Sequence, residues 1–158
     1  GQHLIDVHDH LRAELTELRS VVARVRDGQL GAGDARDALS RMAMRQNDWT
    51  LGAFCSRYCR AVASHHNLED VAVFPHLRRE DPDLEPVIDR LTVEHLAIHD
   101  AIEEVDRALV HHLQHPDDFD RLQAAIDTLT DSLLSHLSYE EHELVEPLAR
   151  VGFGPGQV

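Results

Sequence analysis

Residues 122–144 read LQAAIDTLTDSLLSHLSYEEHEL. Leu122, Ile126, Leu129 and Leu133 return at steps of four, three and four residues, the repeat of one face of an α-helix. His136, Glu140 and Leu144 continue that stripe without a break. An imidazole and a carboxyl therefore stand on a face that otherwise turns toward a core. Such groups are not buried without strong partners. The stretch predicts a long helix from about Phe119 to Leu148, with something polar or charged facing its last third.

Working outward, the same period recurs three times. A first helix is expected from about Leu4 to Val25, with the stripe Leu4, His8, Leu11, Leu15, Leu18, Val22 and Val25. Gly28 to Gly33 should break it, and Asp34 is a plausible N-cap for a short helix through Met44. A second long helix is expected from Asn47-Asp48, with the stripe Leu51, Cys55, Tyr58, Val62, His65, Glu69 and Ala72, ended or kinked at Pro75. A third spans about Leu84 to Leu113, with Pro86 in its first turn and the stripe Ile88, Leu91, His95, Ile98, Ile102, Val105 and Leu109. No segment has the strand period. The fold class this predicts is all-α, an up-down-up-down four-helix bundle with an additional short helix between the first and second long helices. One domain is expected over residues 1–150, followed by a tail at 151–158.

Composition fits that reading. A chain of 158 residues can bury one substantial core. With 42% hydrophobic but only 4% aromatic residues, aliphatic helix packing is favoured over a β-sandwich. Asp and Glu number 29 against 15 Lys and Arg, a net charge of −14, which makes nucleic acid and anionic membranes poor partners. No apolar run reaches membrane-spanning length and no signal-like segment opens the chain, so a reducing cytoplasm is the expected compartment. Cys55 and Cys59 are expected to be structural thiols, being poorly set for a disulfide on one helix. No protein partner is identifiable.

All four stripes carry metal-ligating groups: His8 on the first, His65 and Glu69 on the second, His95 and His99 on the third, His136 and Glu140 on the fourth. Residues four apart stack on one helix face with Cβ atoms about 5–6 Å apart. In an antiparallel bundle the four sets fall within a turn or two of one height. Five imidazoles and two carboxylates exceed the needs of one ion, and carboxylates can bridge two. The nitrogen and oxygen donors, with no thiolate required, point to iron first. His66, beside His65, and Glu141, beside Glu140, are possible further ligands. Tyr58 lies two turns from His65 on the inner stripe. It is a candidate catalytic phenol, although plain core packing is the commoner role of such a residue. The remaining histidines, among them His10 and His112, are expected at the surface.

The carriers His8-Asp9 with Leu11-Arg12, His65-His66-Asn67-Leu68-Glu69-Asp70 leading to Phe74-Pro75, Glu94-His95 with His99, and His136-Leu137-Ser138-Tyr139-Glu140-Glu141 leading to Pro147 resemble the hemerythrin-like, or HHE cation-binding, family. The resemblance covers nearly the whole chain, and its most specific element is the doubled His-x-x-x-Glu followed by Pro. It implies a non-haem centre of two iron ions, with an oxo or hydroxo bridge, bridging Glu69 and Glu140, and histidines as terminal ligands. The family's oxygen carriers place an aspartate five residues after the fourth-helix histidine. Glu140 stands four residues after it here and Glu141 five, so either could bridge. The function implied is binding or processing of dioxygen, nitric oxide or peroxide, with catalase-like turnover feasible. The alternative is iron storage, buffering or sensing without turnover. A metal-free helical interaction domain is the competing reading, at the cost of packing about seven polar groups together without an ion.

Overall fold

The computed structural model describes residues 1–30 and 37–151, with the side chains of 28–50 and 54 outside that description. Four long helices carry the chain: α1 (Gln2–Leu30), α2 (Asp37–Leu68), α4 (Glu85–Gln114) and α5 (Asp120–Val151). Between α2 and α4 lie a π-helical turn (Glu69–Val73), a short α3 (Phe74–Glu80) and a 3-10 turn (Pro82–Leu84). The described residues contain no strand, and none of their helices is long and apolar enough to cross a membrane.

Three boundaries differ from the sequence reading. α1 runs through Gly28 to Leu30, past the break expected there, since one glycine costs a helix interior only about 1 kcal/mol. The separate short helix expected before the second long one is the first part of α2, which runs unbroken past Asn47-Asp48. No Gly or Pro stands between Asp37 and Leu51, so the capping-type side chains there meet a backbone with no steric reason to stop. The proposed cap at Asp34 and the tail from residue 152 lie outside the described residues. The third difference is at Pro75, which does not end the helical path. Proline removes an N–H and crowds the carbonyl four residues back. The π turn just before it supplies one extra residue, and Pro75 falls in the first turn of α3. Pro86 lies in the first turn of α4, as expected.

The long helices form a ring in which α1 packs on α2 and α5, and α4 packs on α5 and α2. Paired residues descend on one helix as they ascend on its neighbour. His8 faces His65 while Leu11 faces Tyr58, Arg12 reaches Glu141 while Arg26 reaches Gln123, and Glu94 meets His136 while Glu104 meets Arg121.

The core comes in two apolar blocks. The larger contains Leu11, Leu15, Leu18, Val62, Ile98, Leu133 and Leu137. The smaller contains Leu4, Val73, Phe74, Leu77, Leu91 and Leu144. Each fully buried Leu or Val contributes roughly 1.5–3 kcal/mol of transfer free energy. On every long helix the switch from one block to the other is made across a polar residue: Leu4-His8-Leu11, Val62-His65-Glu69-Val73, Leu91-His95-Ile98 and Leu133-His136-Glu140-Leu144. The bundle therefore holds a polar layer between two greasy plugs.

Candidate metal centre

Seven side chains form that layer: His8 from α1, His65 and His66 from the end of α2, Glu69 from the π turn, His95 from α4, and His136 and Glu140 from α5. All are between 0% and 9% exposed. Their donor atoms fall into two groups, one of His66, Glu69, His95 and His136, the other of His8, His65, Glu69 and Glu140, with one donor atom from each residue lying within 4.8 Å of the others in its group.

Glu69 belongs to both groups. Its Oε1 is 3.4 Å from Nε2 of His65 in one and 3.4 Å from Nε2 of His95 in the other. Glu140 also spans them, with Oε2 3.2 Å from Nε2 of His136 and 3.7 Å from Nε2 of His8. The rings are in mutual contact. His66 stacks on His95 at 3.9 Å between centroids, and His136 meets both edge-on at 4.9 and 4.8 Å.

This chemistry fits a cation. Both oxygens of Glu69, both oxygens of Glu140, and Nε2 of His66, His95 and His136 are buried and make no hydrogen bond. Leaving one buried polar atom unmade costs about 1–3 kcal/mol, and here seven such atoms converge. Positive charge at their centre would satisfy them together.

An outer ring of carboxylates aims three of the imidazoles. Nδ1 of His95 lies 2.8 Å from Oδ1 of Asp70, and Nδ1 of His136 lies 2.9 Å from Oε1 of Glu94. Nδ1 of His8 lies 3.3 Å from Oε2 of Glu141. A proton on Nδ1 of His95 and of His136 is drawn to its carboxylate, which leaves the Nε2 lone pair facing inward, and Glu141 stands in the same place behind His8. Arg12 in turn holds Glu141 and Asp9, and Arg90 holds Glu94.

Electrostatics point the same way. Burial pushes His8 down to about 4 and both His65 and His95 down to about 3, and it lowers His66 and His136 as well. The imidazoles are thus neutral near pH 7, the form a metal takes. Burial, and then the charge of Glu141, raises the Glu140 carboxyl to about 8. Glu141 resists its own burial because Arg12 and His8 hold its carboxyl below the usual range.

Of the residues singled out from sequence, His8, His65, Glu69, His95, His136 and Glu140 come together, and so does His66. His99 does not. It is 61% exposed, with Nε2 3.2 Å from Oε1 of Glu103. The inward path of α4 steps from His95 to Ile98, three residues on, so the fourth residue falls beside the stripe. Glu141 stands behind His8, outside both donor groups. Tyr58 is fully buried below the layer, its hydroxyl donating to the Leu11 carbonyl at 3.1 Å, and burial pushes its pKa up. It is a core residue that ties α2 to α1. Tyr139 lies under the Arg90 guanidinium, 3.7 Å from its ring centre. His112, expected at the surface, is fully buried against Phe119.

Sequence reasoning gave no role to Asp70 and Glu94. A usable signal was present, because each outer carboxylate is the immediate chain neighbour of a donor: Glu69-Asp70, Glu94-His95 and Glu140-Glu141. His66 could have been placed from its spacing. It precedes Glu69 by three residues and His65 precedes it by four, so both flank that carboxylate on the helix surface.

A cavity of about 260 Å³ opens between α2 and α4 beside the layer, lined by Ala63, His66, Asp70, His95, Leu96 and His99 among others. A larger one, about 490 Å³, continues along the same seam away from the donors, past Ile102 to Cys55 and Cys59. Both cysteines are free thiols, with pKa values raised by burial.

Comparison with protein families finds a match over residues 2–148 to the hemerythrin HHE cation binding domain. No curated protein and no solved structure matches.

Proposed function

The chain belongs to the hemerythrin HHE cation-binding domain family, and from that premise we propose that it holds a pair of iron ions and binds or processes a small ligand there, dioxygen, nitric oxide or peroxide. The observation that carries this reading is the sharing of Glu69 between two complete donor groups, with Glu140 in reach of both. One buried carboxylate facing two sets of imidazoles suits two cations and is poorly explained by one. When bound, the iron pair would supply electrons and an exchangeable coordination position for the ligand.

The chain's own residues supply the rest. Asp70, Glu94 and Glu141 hold three rings with Nε2 inward. The two apolar blocks above and below exclude water, which strengthens every charge interaction inside. The Tyr58 hydroxyl is committed to α1, and the Tyr139 ring is covered by the Arg90 guanidinium. This favours ligand binding over turnover driven by a phenolic proton. Free thiols at Cys55 and Cys59 accord with a reducing, cytoplasmic setting.

The test is anaerobic titration of cation-free protein with ferrous ion, followed by metal analysis and by dioxygen, nitric oxide and peroxide challenges watched by absorbance. The expected result is uptake of two iron ions per chain and a new charge-transfer band with at least one ligand. Uptake of one ion or none would refute the paired site. Uptake of two with no response to any ligand would leave storage or sensing as the function.

A further inference from the structure

We propose, building on the iron-pair reading above, that His66 is an exchangeable donor. Its imidazole swings out of the polar layer into the cavity between α2 and α4, and the position it leaves is where the small ligand enters.

Four observations support this. First, Nδ1 of His95 and of His136 is hydrogen-bonded to a carboxylate and His8 has Glu141 3.3 Å behind it, whereas Nε2 of His66 is buried without a hydrogen bond and no carboxylate contact is found for its ring among the described residues. Its ring is restrained by contact with other rings, chiefly the stack on His95. Second, His66 is itself a wall of the 260 Å³ cavity. That volume is several times the ~30 Å³ share of one water. Its neighbours there, Ala63 and Asp70, offer a small side chain and a carboxylate acceptor. His65 cannot use this space, because it packs against His8 on the far side. Third, its group has donors to spare. Glu69, His95 and His136 make three apart from His66, and Glu140 reaches His136. Fourth, α2 gives way to the π turn at Glu69, three residues past His66. Such turns recur at functional sites.

The rings of His66 and His95 separate the cavity from the donor atoms behind them, whose Nε2 atoms are buried. Movement of the unpinned ring would therefore both open the path and vacate the position. The exchange is balanced: one bond from Nε2 to the cation breaks, one bond from the ligand's donor atom forms, and no electron is transferred.

Azide is the probe, mixed with iron-loaded protein and followed by stopped-flow absorbance, with metal content measured on each variant. Ring departure before entry predicts that the observed rate in the parent protein rises and then levels off with azide concentration. His66→Ala should keep both ions, lose the plateau, and bind azide about tenfold faster or more, because the competent state no longer has to be selected. Ala63→Phe, which fills the space the ring needs, should lower the plateau about tenfold with the iron content unchanged. An independent check is the histidine NMR spectrum of zinc-loaded protein, where the His66 ring alone should show two exchanging environments.

A parent rate that stays linear, with the same slope in His66→Ala, would overturn the proposal. So would loss of an ion in His66→Ala, or a plateau unmoved by Ala63→Phe. A parent protein that takes up no iron, or takes up iron and binds no azide, would instead overturn the functional reading on which this rests.

Discussion

Glu69 and Glu141 are both carboxylates beside the polar layer, and the structure gives them different work. Glu69 is 1% exposed and faces imidazoles of both donor groups. Glu141 stands outside, between Arg12 and the rear nitrogen of His8. Glu69→Gln leaves an amide that cannot neutralise two cations, so metal analysis should find both ions lost. Glu141→Gln should keep the full metal content and weaken binding by about 10–100-fold in a competition titration, the usual effect of removing a carboxylate behind a ligating histidine. Equal losses in the two variants would contradict the division of roles. At this scale six of the seven layer residues were legible in the sequence, because a histidine or glutamate on a leucine stripe stands out against the helical period. His99 was misplaced because a residue four past His95 and a residue three past it compete for one inward position, and Ile98 holds it. His66 is legible only from its spacing to Glu69, because a single stripe has room for His65 and not for its neighbour, whereas the end of α2 turns both rings inward to flank that carboxylate.

The element that most alters the outcome is the π turn at Glu69–Val73. Continued α geometry would put His76, seven residues after Glu69, back on the inner stripe. Instead Leu77 is fully buried and His76 only half-buried, a shift of one residue. The extra residue explains why Phe74 joins Val73 in the upper apolar block, while Ala72, expected inward from sequence, is only partly buried. It also explains how the chain passes Pro75 without breaking. Periodicity could not have shown this, because the count that defines a stripe presumes an α-helix throughout. Val73→Ala should therefore cost about 2 kcal/mol in urea unfolding of the cation-free protein. Val71→Ala, at a 64% exposed position, should stay within about 0.5 kcal/mol. The reverse order would mean that Val73 is not packed in the upper apolar block in solution.

For the molecule as a whole, the sequence predicted four long helices and one polar level, but not the seam cavities between α2 and α4, which depend on how far apart two helices settle. The cation-free bundle should carry a pH signature of its buried layer. Five imidazoles bind protons more weakly folded than unfolded, His8 at about 4 and His65 and His95 at about 3 against an ordinary 6.5, with His66 and His136 shifted the same way. Their contribution to stability is complete above about 6.5 and is lost as the pH falls toward those folded values. Glu140 has the opposite sign. Its folded pKa of about 8 lies above the ordinary 4.5, so it favours the folded state fully at low pH and loses that contribution as the pH rises from 4.5 through 8. Between 4.5 and 6.5 the imidazoles outnumber the single carboxyl and stability rises with pH. From 6.5 to 8 only the carboxyl titrates and stability falls. The thermal midpoint of cation-free protein should therefore peak near pH 6.5 and drop at both pH 5 and pH 8. Bound cations hold Glu140 ionised and the rings neutral, so loading releases protons and its stabilisation grows with pH. Calorimetry at pH 5, 6.5 and 8, with and without anaerobic ferrous ion, should show the alkaline drop removed by metal and the acid drop retained. A cation-free midpoint that climbs steadily to pH 8 would mean that Glu140 is not buried among neutral rings, and the layer as described would fail with it.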